Sequence, residues 1–158
     1  MPPPLRLTRA SDAPRHTAHR PAAPAIDPAP ILGTWVSFDG ATGGIVRIVI
    51  GRGDGRLSIR AFGAGSPAPR DWGEIAGEAF AGSVESAAAK HPDSALGAPA
   101  VGFTARYDFG FLATLLAAYL NRRLLVVDSY NVFRDGSGRA SYFSRDHFYL
   151  PAASASRA

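Results

Sequence analysis

The chain has 158 residues, 46% of them hydrophobic, which suffices for one domain with its own core. It contains no cysteine, which excludes disulfides, thiolate catalysis and cysteine-bound zinc or iron–sulfur clusters. The formal net charge is +4, but residues 31–150 carry twelve basic and eleven acidic side chains. This balance argues against a nucleic-acid-binding groove, which needs concentrated positive charge.

Residues 1–30 are rich in proline, alanine and arginine and show no apolar periodicity, so we predict a disordered tail. The tail is interpreted as a linker, with a basic tether to an anionic surface as the alternative. It contains no continuous apolar stretch of the kind a secretory signal needs, and no run of about twenty apolar residues follows. We therefore expect a cytoplasmic protein without a membrane span.

From residue 31 onwards, short β-prone runs alternate with glycine, aspartate, asparagine and proline. The first predicted strand covers 34–38. The runs 45–50 and 56–62 are predicted to form a hairpin, because the turn between them contains three glycines. The expected apolar face of the second strand is Val46, Ile48 and Ile50.

A fourth strand is predicted to begin at residue 71 and to continue towards residue 80. The Ala/Ser-rich residues 81–99 follow it as a flexible loop. Residues 100–108 alternate between apolar and polar side chains, which predicts a fifth strand. Val101, Phe103, Ala105 and Tyr107 are expected to share one face of this strand.

Residues 111–120 are apolar except for Thr114, and their alanines and leucines would also suit a helix of nearly three turns. The context favours a strand, because an alternating strand precedes this run and only residues 121–123 separate it from the next β-rich run. We predict a strand here, with a helix as the alternative.

The last two predicted strands cover 124–133 and 140–150, with a glycine-containing turn between them. Residues 151–158 are predicted to be a disordered C-terminal tail. Eight short strands joined in sequence make an antiparallel up-and-down meander. Closure into a barrel removes its unpaired edges, so we predict an all-β barrel over residues 31–150.

The tripeptide Gly33-Thr34-Trp35, at the start of the first strand, resembles the Gly-x-Trp signature of the calycins, which include lipocalins and avidins. In topology the resemblance covers residues 33–150. It implies that Trp35 plugs the closed end of the barrel and that Arg145 or Arg139 packs across its ring, a contact worth about 0.5–2 kcal/mol. The only other tryptophan is Trp72, whereas avidins line their biotin site with several, so we do not predict biotin binding.

The sequence contains no phosphate-binding loop, dinucleotide fingerprint or Gly-x-Ser-x-Gly elbow. Only one of the four histidines, His147, lies in a predicted strand, and a lone histidine does not make a metal site. We therefore predict neither a metal nor a cofactor.

Polar side chains within the strands either face solvent or line a cavity inside the barrel. If a cavity exists, the acid or base of a reaction would be Asp108, Asp128 or His147. The candidate ligand-binding residues are Arg47, Arg106, Tyr107, Tyr119, Tyr130 and Tyr142.

The leading hypothesis is a barrel that binds a small, mostly apolar molecule in its interior or mouth. The alternatives are a cofactor-free cyclase or isomerase acting on a small hydrophobic substrate, and a structural or interaction domain without a ligand. No nucleic-acid partner is predicted, and a homo-oligomer is left open.

Overall fold

The computed structural model describes residues 26–84 and 97–152. Most of the predicted N-terminal tail, of the predicted loop 81–99 and of the predicted C-terminal tail lies outside these residues. Residues 26–30, at the end of the predicted tail, form a short strand and begin a 3-10 helix.

Nine strands and one 3-10 helix, Ala29–Ile31, form within the described residues. The strands are β1 (Ile26–Asp27), β2 (Gly33–Ser37), β3 (Ile45–Gly53), β4 (Arg56–Gly63), β5 (Arg70–Ala81), β6 (Ala98–Asp108), β7 (Leu112–Asn121), β8 (Leu124–Phe133) and β9 (Tyr142–Tyr149).

From β2 to β9, each strand pairs antiparallel with the next one along the chain. The sheet closes because β9 also pairs with β2, where Val36 lies opposite Tyr149 and Ser37 opposite Phe148. The prediction of an all-β, eight-stranded up-and-down barrel is therefore confirmed. β1 is an extra strand that pairs in parallel with β6.

The apolar run at residues 111–120, for which the composition allowed either a strand or a helix, forms strand β7. It pairs with β8 without interruption, from Leu112 opposite Phe133 to Asn121 opposite Leu124. Its other edge pairs with β6. Because both edges are paired, the ladder supplies the backbone hydrogen bonds that a helix would otherwise provide, and the helix propensity of alanine and leucine is overridden.

A β-bulge in β3 changes the face predicted from simple alternation. The pairing of β3 with β4 is irregular between Ile45 and Arg47. Ile45 therefore joins Ile48 and Ile50 in the core, while Val46 is only half-buried. The predicted place of Val46 on the core face is wrong for this reason.

A second irregularity affects β6. The register between β5 and β6 shifts at Phe80, so the side chains before and after that point differ in parity. Val101 is 37% exposed, whereas Phe103 and Tyr107 are buried. The expectation that these four residues share one face therefore holds for Phe103, Ala105 and Tyr107 but not for Val101.

The barrel end at which β2 begins is closed by the segment that precedes β2. Ile31 ends the 3-10 helix and is fully buried, and Trp35 enters the same core. The Trp35 Nε1 donates a hydrogen bond of 2.9 Å to the Ile31 carbonyl oxygen, which holds the helix against the ring. The opposite end, called the mouth below, is formed by loops 38–44, 64–69, 109–111 and 134–141.

Replacing Trp35 with phenylalanine should lower the free energy of unfolding by about 1–3 kcal/mol, because the buried Ile31 carbonyl loses its donor. Urea denaturation measures the change. The control is Phe80→Leu at an exposed aromatic residue, which should change stability by less than about 0.5 kcal/mol. Equal losses in the two variants would contradict the role given to this hydrogen bond.

Candidate ligand-binding site at the barrel mouth

A cavity of about 380 Å³ opens at the mouth of the barrel. Its wall combines the loop before β3 with side chains on β5, β8 and β9. It is lined by Thr42, Gly43, Gly44, Ile45, Gly63, Ala64, Arg70, Trp72, Ser129, Asn131, Tyr142, Ser144 and Asp146.

A network of polar side chains lies at the base of this cavity. Thr114, Ser129 and Asn131 are all at least nine-tenths buried. The Thr114 hydroxyl donates to Asn131 Oδ1 at 2.8 Å, and Asn131 Nδ2 donates to Ser129 Oγ at 3.3 Å. We call these three residues, together with Ser144 and Asp146, the polar floor.

The hydrogen bonds of the polar floor run in one direction. Ser144 Oγ donates to Asp146 Oδ2 at 3.2 Å, because a carboxylate only accepts. Because the single hydrogen of the Ser144 hydroxyl is donated to Asp146, Ser129 is the donor in the 2.6 Å contact between the Ser129 and Ser144 hydroxyls. The chain therefore starts at Thr114 and ends on a carboxylate that is only half-buried.

Trp72 forms an aromatic wall beside the polar floor. Its ring meets Tyr107 and Phe109 edge to face, with centroid separations of 5.4 Å in both cases. Gly63 makes room for the indole, since a Cβ at that position would lie 2.7 Å from Trp72 Nε1. This close approach explains why β4 ends in a residue without a side chain.

The backbone around Trp72 is held from both sides. Asp71 accepts hydrogen bonds from the Arg60 guanidinium and from the Gly73 N–H, and these bonds lower its pKa to about 2. Gly73 itself has φ +86°, a conformation that favours glycine. Its carbonyl oxygen accepts a 3.0 Å hydrogen bond from the Tyr107 hydroxyl.

Tyr107, predicted as a ligand-binding residue, is buried behind Trp72. Its hydroxyl accepts from the Ala61 N–H at 3.0 Å and lies within hydrogen-bonding distance of the Ile59 and Gly73 carbonyl oxygens. Burial raises its pKa to about 12. In this structure Tyr107 ties β4, β5 and β6 together behind the cavity wall.

Of the other predicted ligand-binding residues, Tyr142 lines the mouth cavity, with its ring 6.1 Å from Phe133. Tyr119 and Tyr130 are exposed on the outer surface of β7 and β8. The remaining two are arginines outside the cavity. Arg47 stacks on Phe62 at 4.0 Å, and Arg106 is exposed beside a separate cleft.

The three predicted acid–base candidates lie away from the mouth cavity. Asp108 is exposed and pairs with Arg134 at 3.0 Å. Asp128 accepts two hydrogen bonds from Arg145, at 2.7 and 2.8 Å, and these bonds lower its pKa. His147 is exposed on β9, where alternate residues face outward.

The arginine expected to cover Trp35 is engaged elsewhere. On β9 the inward-facing residues include Ser144 and Phe148, so Arg145 faces outward and binds Asp128 opposite it on β8. Arg139 lies in the loop before β9, with its guanidinium 4.0 Å from the Phe133 ring. Strand parity thus separates both arginines from the buried tryptophan.

A larger cleft, of about 860 Å³, lies beside the turn between β3 and β4. Its charged residues Arg56, Arg106 and Glu78 are all exposed, and Arg52 pairs with Asp27 at 3.2 Å. No buried polar side chain lines it within the described residues. We therefore place the candidate site at the mouth, where buried polar groups and aromatic rings converge.

Sequence reasoning missed the polar floor and the wall residue Trp72. The sequence signal that could have revealed the polar floor was the alternation of inward and outward positions along β8. Ser129 and Asn131 continue the side of β8 that carries the buried Leu125 and Val127, so these polar residues occupy positions where a filled barrel would be apolar.

In the described ranges, 26–84 and 97–152, no group of three or more histidine, cysteine, aspartate or glutamate side chains is placed to hold a metal ion. No helix in the same ranges has the length and apolar character needed to cross a membrane. Comparisons with protein-family models, with curated proteins and with solved structures found no match.

Removing the Tyr107 hydroxyl by substitution to phenylalanine should cost about 1–3 kcal/mol of stability, because the buried Ala61 N–H loses its acceptor. The variant should also respond differently to alkaline pH. The pKa of the Tyr107 phenol is near 10.0 in the unfolded chain and about 12 in the folded protein. The buried neutral phenol therefore contributes its full stabilisation of the folded state below pH 10, and this contribution is lost as the pH rises towards 12.

Urea denaturation of both proteins across this alkaline range measures the effect. The stability of the wild-type protein should fall more steeply with pH than that of the Tyr107→Phe variant. Parallel curves would show that Tyr107 is not held neutral by burial.

Proposed function

We propose that the mouth of this barrel binds a small, mostly apolar molecule that carries a hydrogen-bonding group at one end. The observation that carries this proposal is the polar floor, a one-directional chain of hydrogen bonds that starts among three buried side chains inside a largely apolar barrel. Its Asp146 end borders the cavity, as does Asn131.

The energetic argument starts from the cost of burying polar groups. Replacing a buried, mutually hydrogen-bonded pair by apolar groups of the same shape is often neutral or stabilising, so a barrel that only had to be stable would not need polar side chains in this space. Departures from that rule concentrate at functional sites. The polar floor departs from it at three neighbouring inward-facing sites, Ser129 and Asn131 on β8 and Thr114 opposite Asn131 on β7.

The shape of the cavity supports the same function. Its volume of about 380 Å³ falls within the roughly 300–1,000 Å³ usual for small-molecule sites. The rings of Trp72 and Tyr142 offer apolar contact to the body of a ligand. Asn131 offers a donor and Asp146 an acceptor, so the polar end should carry one group of each kind.

We also propose that the fold is calycin-like. Support comes from the eight-stranded up-and-down barrel and from Trp35 buried at its closed end. The outward position of Arg145 departs from the calycin pattern, in which an arginine covers that tryptophan.

Two aromatic amides, benzamide and indole-3-carboxamide, are suitable first probes. Benzoate is the matched comparison, because its carboxylate is negatively charged and only accepts hydrogen bonds. In ¹H–¹⁵N NMR titrations, the amides should shift signals of Ser129, Asn131, Ser144 and Asp146. Benzoate should bind at least about tenfold more weakly, a difference of about 1.4 kcal/mol, because Asp146 repels its carboxylate.

The substitution Asp146→Ala should weaken amide binding by about tenfold or more, since it removes the acceptor at the end of the polar floor. Its matched control is Asp54→Ala, in the exposed turn between β3 and β4, which should leave affinity unchanged. Shifts centred on the Arg56 and Arg106 cleft, or no binding of either amide at millimolar concentration, would contradict the proposal.

Acid–base catalysis in the same cavity is a second candidate, favoured by the presence of a single carboxylate, Asp146, among the lining residues. A carboxylate in partly apolar surroundings can act as a general base. The probe is 5-nitrobenzisoxazole. In its ring opening, the base removes the C3 proton, the N–O bond breaks, and a cyanophenolate forms.

If Asp146 acts as this base, the protein should accelerate ring opening above the buffer rate, and Asp146→Asn should lose about 100-fold of that acceleration. Absorbance of the phenolate measures the rate. Equal rates in the two proteins would reject catalysis by Asp146 while leaving the binding proposal intact.

A further inference from the structure

Apart from Thr114 and the terminal Asn121, strand β7 is apolar on both of its faces. Leu116 and Ala118 face the core, yet the alternate positions Ala113, Leu115 and Ala117 are also apolar. A strand with one face in water normally alternates, whereas a continuous apolar run is typical of a strand that is covered on both faces. The interior of the barrel covers only one face of β7.

The neighbouring strands extend this apolar outer surface. Tyr130 on β8 and Phe143 on β9 are 46% and 51% exposed, and their ring centroids lie 5.3 Å apart. We call the outer surface of these three strands the β7–β9 face. Its exposed apolar side chains are Tyr119, Tyr130, Val132, Phe143 and Tyr149.

The opposite side of the barrel is different in character. The outward-facing residues of β3, β4 and β5 include several charged side chains. Among the described strands, Phe80 on β5 and Val101 on β6 are also exposed, but the outer surface of β7, β8 and β9 groups five exposed large apolar side chains, and such a grouping marks an interaction surface. The charged residues are Arg47, Arg60, Asp71, Glu74 and Glu78.

The β7–β9 face has one ion pair at its centre. Asp128 and Arg145 lie opposite each other on β8 and β9 and form two hydrogen bonds. The charges of the pair cancel, and the pair places one carboxylate and one guanidinium side by side on the face. A two-fold axis through this point would bring each Asp128 near the Arg145 of the other copy.

We propose that the β7–β9 face packs against the same face of a second copy of this chain. The self-complementary charges select a second copy as the occupant, because the same two side chains supply both halves of the interaction. β7 and β8 have ten residues each and β9 has eight, so with strands about 4.8 Å apart and about 3.3 Å per residue the three strands cover roughly 450 Å².

This value is the area of the backbone sheet alone. The side chains that project from the sheet add accessible surface and bring the area towards the roughly 800 Å² per partner of a standard interface. The surface is also rich in aromatic residues, as interface cores are. An interface at the smaller end of this range predicts a dimer that dissociates on dilution.

Sedimentation equilibrium of the full chain at low and high micromolar concentration tests the proposal. The mass should approach twice 16.6 kDa at the higher concentration and fall on dilution. A particle that stays at 16.6 kDa throughout overturns the proposal.

Two charge variants locate the interface. Asp128→Arg makes both central positions basic, and Arg145→Asp makes both acidic, so each variant alone should be monomeric. An equimolar mixture should recover the dimer, because the basic face of one chain meets the acidic face of the other. A mixture of folded variants that stays monomeric overturns the face-to-face arrangement.

Phe143→Lys provides a test that does not involve the ion pair, since its exposed ring contributes little to the barrel core. It should be folded by circular dichroism and monomeric. Phe80→Lys, at an exposed aromatic on β5, is the matched control and should still dimerise. Monomeric Phe80→Lys together with dimeric Phe143→Lys would place the contact elsewhere and overturn the proposal.

Discussion

The closure of the sheet between β2 and β9 is the constraint on which the other features of this molecule depend. It rests on a short pairing, Val36 with Tyr149 and Ser37 with Phe148. Once the sheet is closed, every strand residue is assigned to the interior or the exterior, because side chains alternate along a strand. The buried Phe148 assigns the interior to Ser144 and Asp146 and the exterior to Arg145.

The barrel interior changes in character along the barrel axis, from apolar at the closed end to polar at the mouth. Near the closed end, the 3-10 helix and Trp35 fill the space with apolar contacts, and the indole N–H is paired with the Ile31 carbonyl. Towards the mouth the filling becomes polar, from Thr114 to Asp146. Each member of the polar floor pairs with the next, so the barrel tolerates these buried polar groups, and all of them except Thr114 border the cavity.

The positions of the strands could be predicted from the sequence because turn residues and alternation agree over residues 45–62 and 100–150. The residues of the candidate site could not be predicted in the same way. Ser144 and Arg145 are adjacent polar residues on one strand, and nothing local tells which of them faces inward. The bulge at Ile45 shows that counting by twos along a strand can fail, so the inner face depends on pairing between strands.

Strands β8 and β9 connect the proposed site with the proposed dimer surface. Ser129 and Ser144 lie opposite each other inside the barrel, one residue away from the pair that Asp128 and Arg145 form outside it. Alternation makes this adjacency unavoidable. A second copy packed on the outer ion pair would hold β8 and β9 in one register. That would in turn fix the hydroxyl-to-hydroxyl contact through which the polar floor reaches Asp146.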